Sequence, residues 1–153
     1  MKIYVASSWR NTVQPLVVAT LRAAGHEVYD FKNPRAGGTG FHWSEIDPEW
    51  KQWSPRRFRE ALDHDIAQDG FMSDFTAMRW ADACVLVLPC GRSAHLEAGW
   101  FVGAGKPLAI LLDEGPEPEL MYRMARTGIC LDFAETVAWA DGTEQIVNEG
   151  RAK

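Results

Sequence analysis

Paired cysteines, an excess of positive charge and long apolar runs are all missing from this chain. Its three cysteines, Cys84, Cys90 and Cys130, fall in no CxxC spacing. That argues against a zinc or disulfide framework and for free thiols in a reducing cytoplasm. Lys and Arg number 16 against 21 Asp and Glu, a net charge of −5, so no basic face awaits a duplex or a membrane surface. A small anion needs only a local cationic pocket and stays allowed. No apolar run nears the roughly 20 residues that cross a bilayer. MKIYVASSWR enters a strand pattern directly, without the apolar core of a signal peptide. Neither GxGxxG nor GxxxxGK[ST] occurs, nor a GxSxG elbow. His42, His64 and His95 make no metal set, and no histidine reads as placed beside a cysteine. The expectation is a cytoplasmic protein with no metal and no cofactor, whose partner is neither a nucleic acid polymer nor a membrane.

What is present is the alternation of strands and helices. The 153 residues, 46% hydrophobic and 24% charged, suit one domain over 1–153. Ile3-Tyr4-Val5 and Glu27-Val28-Tyr29 read as strands around a helix marked by Val13, Leu16, Val17, Leu21 and Ala24 and stopped by Gly25. Pro34, Gly37, Gly38, Gly40, Pro48 and Pro55 break up residues 31–55. Helices are expected after Ser54-Pro55 and from Ser73 or Asp74. Ala83 to Leu88 and Pro107 to Leu112 are continuous apolar runs, the mark of strands covered on both faces. Between them a helix runs to Gly103 or Gly105, and a short helix over Glu119 to Arg126, a strand at Ile129 to Leu131 and a helix from Phe133 follow. The pattern predicts an α/β fold: a single doubly wound, flavodoxin- or Rossmann-like domain with a mostly parallel five-stranded sheet. Ligands of such sheets bind at the carboxyl ends of the strands, near the topological switch point. The loops Ala6 to Asn11, Phe31 to Pro48 and Pro89 to Glu97 are therefore the candidates.

In the last of these, Ser93 reads as an N-cap and Glu97 as a carboxylate in the first or second helical turn. A carboxylate so placed commonly serves only the helix dipole; aimed at a cleft, it attacks an anomeric carbon. Ser7, Ser8, Trp9 and Arg10 could hold an anion at a helix start, with Arg92 and Ser93 alongside, or be solvated loop residues. Asp74 reads as an N-cap or a functional acid, and Asp82 as a turn residue. Seven tryptophans are many for this length. Trp43, Trp50 and Trp53 beside Phe41 either fill a core or subunit contact, or stack a nucleobase.

Together IYVASSWRN, SDFTAMRWADACVLVLP and SAHLEAGWFVGAGKP, over about residues 2–112, resemble the nucleoside 2-deoxyribosyltransferase superfamily, which includes the nucleoside and nucleotide N-glycosidases. The resemblance implies an enzyme that cleaves or transfers at the N-glycosidic bond of a nucleoside or nucleoside 5′-monophosphate. Glu97 would form the covalent sugar intermediate, Asp74 would contact or protonate the leaving base, and Ser7 to Arg10 would lie near the 5′ end of the sugar. The aromatic loop around Phe41, Trp43 and Trp50, by its own composition, is expected to shape the base pocket. The resemblance also implies a homodimer or higher homo-oligomer. The transferases carry an aspartate in the loop before the nucleophile, whereas CGRSAHL carries Arg92 and Ser93. The nucleotide N-glycosidases hold a 5′-phosphate with serine and arginine there, a role that suits Ser8, Arg10, Arg92 and Ser93. A non-catalytic nucleotide-binding or sensing module of the same fold is the alternative.

Overall fold

Short aliphatic strands need cover on both faces, and the chain supplies helices for each. The computed structural model of the chain describes residues 1–34, 38–115 and 118–151, the stretch 144–151 by its backbone alone. They gather into two compact units, Met1–Asp30 with Trp80–Lys153, and Phe31–Arg79.

The first unit holds β1 (Lys2–Ala6), α1 (Gln14–Ala23), β2 (Glu27–Asp30), β3 (Ala83–Val87), α4 (Arg92–Gly103), β4 (Leu108–Leu111), β5 (Ile129–Cys130) and α5 (Phe133–Arg151). The strand order is β2-β1-β3-β4-β5 and every pairing is parallel, so the sheet expected to be mostly parallel is parallel throughout. Alternate side chains take opposite faces. Ile3, Val5, Val85, Val87, Ala109 and Leu111 pack with Val17, Val18 and Leu21 of α1 and Ala140 of α5. On the other face Tyr4 stacks on Tyr29, centroids 5.3 Å apart, and meets Phe101 of α4 at 5.7 Å. Ala94 and Ala98 are buried beside Phe101, and their small side chains let α4 lie close on the sheet. Full burial of a side chain such as Phe101 is worth about 1.5–3 kcal/mol.

Gly25, at φ 95°, ends α1 as expected. Leu16 does not join the buried face; Gln14 does, donating from Nε2 to Asp30 Oδ1 at 2.8 Å. The short helix expected over Glu119 to Arg126 is a 3-10 helix, Leu120–Ala125, followed by Arg126 at φ 51°.

The second unit holds 3-10 turns at Trp43–Glu45 and Trp50–Gln52, then α2 (Pro55–Ala61) and most of α3 (Asp65–Trp80). The Ser54-Pro55 start stands: Ser54 Oγ accepts from the Arg57 N–H at 3.2 Å. The start expected at Ser73 or Asp74 does not, because α3 begins at Asp65. His64 supplies its cap, Nδ1 accepting from the Ile66 N–H at 3.2 Å. Gly70 lies mid-helix with Phe41 against it; a Cβ there would stand 2.7 Å from Phe41 Cβ. Gly37 lies outside the described residues. Among the described residues no helix is long and apolar enough to cross a membrane.

Candidate active site

In the strand order the chain turns one way from β1 to β2 and the other way through β3, so the switch point falls between β1 and β3. The loops at their carboxyl ends are stapled together. Ser7 Oγ donates to the Val87 carbonyl at 2.8 Å, and Asn11 Nδ2 donates to the carbonyls of Val87 and Pro89 at 3.3 and 3.1 Å. Asn11 Oδ1 accepts from the N–H groups of Val13 and Gln14 at 2.7 and 2.9 Å, which caps α1. Asn11 is 4% exposed, and these four bonds use the whole hydrogen-bonding capacity of its amide. Sequence reasoning treated it only as the end of a loop. The available signal was a short amide just before a helix.

Of the expected anion ligands, Ser7 thus has its proton committed to the loop junction. Ser8 is half-buried, and its carbonyl accepts from the Asn11 N–H at 3.1 Å. Trp9 and Arg10 are exposed, as are Arg92 and Ser93 at the head of α4. Ser93 is not the N-cap: that position is Gly91, and Arg92 and Ser93 are the first two helical residues. Their N–H groups belong to the unbonded first turn, where a helix receives anions.

Glu97 is the sixth residue of α4, half-buried on the flank of the face that buries Ala94, Ala98 and Phe101. The dipole acts mainly within the first turn, so a dipole role accounts poorly for a carboxylate placed this deep. Its charge reaches the end of β3. Burial first, then Glu97, raises the thiols of Cys84 and Cys90; Cys90, further opposed by Asp113, is pushed up to about 11.

The sequence placed no histidine beside a cysteine, and the structure corrects this: His95 Nδ1 lies 3.5 Å from Cys90 Sγ. The pair is no activated nucleophile, because a thiol raised to about 11 stays protonated near neutrality. His95 Nδ1 also lies 3.0 Å from the Gly91 carbonyl, and its Nε2 lies 2.9 Å from the Tyr122 hydroxyl. A carbonyl only accepts, so Nδ1 carries a proton, and in the neutral ring Nε2 accepts from the Tyr122 hydroxyl. Tyr122 had no sequence signal, standing 27 residues from its partner.

In the second unit Trp43 is an aromatic hub. Its ring meets Phe41, Trp53 and Phe58 edge-on at 4.8, 5.6 and 5.6 Å. Phe41 and Trp43 are therefore together, half-buried, and part of what holds that unit. Trp53 Nε1 donates to Asp47 Oδ2 at 2.6 Å. That bond, then the Glu49 N–H and the Arg57 charge, lowers the Asp47 carboxyl.

Asp74 stands nine residues after the start of α3, so it is not an N-cap. It lies three or four residues from Gly70, Ala77 and Met78, on the face that packs inward, and is half-buried. A carboxylate there calls for a reason other than helix formation. Asp82 has the structural part expected of it: its Oδ2 accepts from the Lys2 N–H at 3.1 Å, and its N–H donates to the Lys2 carbonyl at 2.8 Å.

No family model and no curated protein matches the chain. Among solved structures, a 2-deoxyribosyltransferase from the psychrotolerant bacterium Bacillus psychrosaccharolyticus matches with a TM-score of 0.56 at 22% identity, over 90% of each chain. That protein is described as a biocatalyst for the synthesis of antiviral and antitumoral nucleosides. At this identity the likeness is one of fold: the chain shares the architecture of a 2-deoxyribosyltransferase, the superfamily its motifs resemble.

Proposed function

We propose that this protein is an enzyme that cleaves or transfers at the N-glycosidic bond of a nucleoside or nucleoside 5′-monophosphate. The observation that carries the proposal is the stapling of two serine- and arginine-bearing loops at the switch point, one of them opening the helix of Glu97. The shared fold supports it. In the first half-reaction a Glu97 carboxylate oxygen bonds to the anomeric carbon as the bond from that carbon to the base nitrogen breaks, and the base leaves with the electron pair. A proton or hydrogen bond neutralises the base, a part the motif resemblance assigns to Asp74. In the second half-reaction water or another base attacks the anomeric carbon and Glu97 departs as carboxylate. The exposed Arg10 and Arg92, with Ser8, Ser93 and the free amides of α4, suit a 5′-phosphate.

The experiment is base release from a panel of nucleosides and monophosphates by Glu97→Ala and Glu97→Gln. Both are expected to be inactive, and turnover persisting in either rules the mechanism out. A second reading, a nucleotide-binding or sensing module without turnover, is favoured by the absence of any acid in the loop of Cys90 to Leu96. Tight calorimetric binding with no base released over long incubation would select it.

A further inference from the structure

The His95–Tyr122 pair lies outside the chemistry just described, yet it joins the head of α4 to the turn that follows β4. The two rings are stacked, centroids 5.9 Å apart and 16° from parallel, and are bonded at 2.9 Å. His95 passes the tie on to the Gly91 carbonyl, at the N-cap of α4. Leu120, Met121 and Met124 of the same turn are exposed, and Ala125 is its one buried residue.

We propose that His95 and Tyr122 are positioning residues, a latch that fixes the Cys90–Gly91 loop and the head of α4 against the turn Leu120–Ala125. Arg92 and Ser93 follow Gly91 directly, so the latch sets where their side chains and amides meet an anion. This consequence for substrate rests on the proposed glycosidic activity; the latch itself does not.

The test compares the wild type with Tyr122→Phe, which keeps the ring and loses the hydroxyl, and His95→Phe, which keeps a ring and loses the contacts to Tyr122, the Gly91 carbonyl and Cys90 Sγ. Arg123 and Arg126, exposed in and just after the turn, are sites for limited trypsin digestion. Losing one hydrogen bond of ordinary strength should speed cleavage there roughly threefold to tenfold. Alkylation of Cys90 by iodoacetamide should quicken by a similar factor, because its loop is released. Unchanged cleavage and alkylation in both variants would overturn the latch. In turnover, KM for a nucleoside monophosphate should rise more than kcat falls; equal KM in a variant with faster cleavage would overturn the positioning role. Should the wild type release no base from any panel member, the glycosidic reading fails, and proteolysis and alkylation still decide the latch.

Discussion

Asn11 and Val87 are joined across the switch point, the Asn11 amide donating to the Val87 carbonyl at 3.3 Å while its own oxygen caps α1. Asn11→Ala leaves the Pro89 carbonyl and the Val13 and Gln14 N–H groups without these partners. Each buried polar group so stranded costs about 1–3 kcal/mol, and water entering the gap will recover part. A loss near 2–3 kcal/mol is expected in urea unfolding. Ser7→Ala should cost less, because the Val87 carbonyl keeps Asn11. The double variant should lose more than the sum of the singles, since only then is that carbonyl stripped of both donors.

The sequence foretold β1, β3 and β4 well, for a physical reason. A run such as Ala83-Cys84-Val85-Leu86-Val87 can be satisfied only by burial on both faces, so its place in the sheet follows from composition. The helix boundaries were harder. Ser73 and Asp74 read as helix starts until His64, a less usual cap, is found accepting from the Ile66 N–H. Ser93 reads as a cap until Gly91 is found in that position. Glu97, Arg92 and Arg10 were singled out as candidates by local spacing and motif. Asn11 and the His95–Tyr122 tie were not, because their partners are distant in the chain and carry no pattern.

Asp47 and Trp53 give a pH prediction. The indole N–H stabilises the carboxylate and holds Asp47 below its ordinary value of 3.8. A lowered carboxyl contributes stability above that ordinary value, and the contribution is lost as pH falls through the lower folded value. The Trp53 indole N–H resonance, assigned by its absence in Trp53→Phe, should therefore stay put through pH 4 and move only in more acid solution. A midpoint at or above 3.8 would contradict the bond.

At two glycines an added Cβ would meet close neighbours, the root of a side chain at one and backbone at the other. Gly70→Ala gains about 1 kcal/mol of helix propensity but presses on Phe41 Cβ, and such overpacking costs about 1–3 kcal/mol, so a modest net loss is expected. At Gly128 an added Cβ meets the Leu108 carbonyl oxygen and Ala109 Cα, backbone atoms that cannot rotate away. Gly128 is also the residue whose carbonyl accepts from the Ile110 N–H at 2.6 Å. Gly128→Ala should lower the urea midpoint by more than Gly70→Ala, and the reverse order would show that the β4–β5 edge yields more than the aromatic cluster.

The arginines separate a phosphate site from solvated loop charge. If Arg10 and Arg92 hold a 5′-phosphate, Arg92→Ala should raise KM for a monophosphate by roughly tenfold or more, the worth of a charge-assisted bond. KM for the matching nucleoside should scarcely move. Equal effects on both substrates would place the Arg92 side chain away from the phosphate.

Glu97 can be located without any substrate, through Cys90. Burial, then the Glu97 charge, then Asp113 push the thiol up to about 11 from 9.0. A thiol raised on folding adds stability that is complete below 9.0 and lost as pH rises through about 11, because the unfolded chain gives up its proton first. Removing a nearby negative charge favours the thiolate. Glu97→Gln should therefore lower the midpoint of the Cys90 alkylation profile and quicken alkylation at pH 9, whereas Glu27→Gln, a control at the outer strand β2 of the same unit, should do neither. The shift should be smaller than the whole rise, since burial is the larger cause and remains in the variant. An unmoved profile would mean that the Glu97 carboxylate points away from the end of β3, where a sugar held between the two stapled loops would need it.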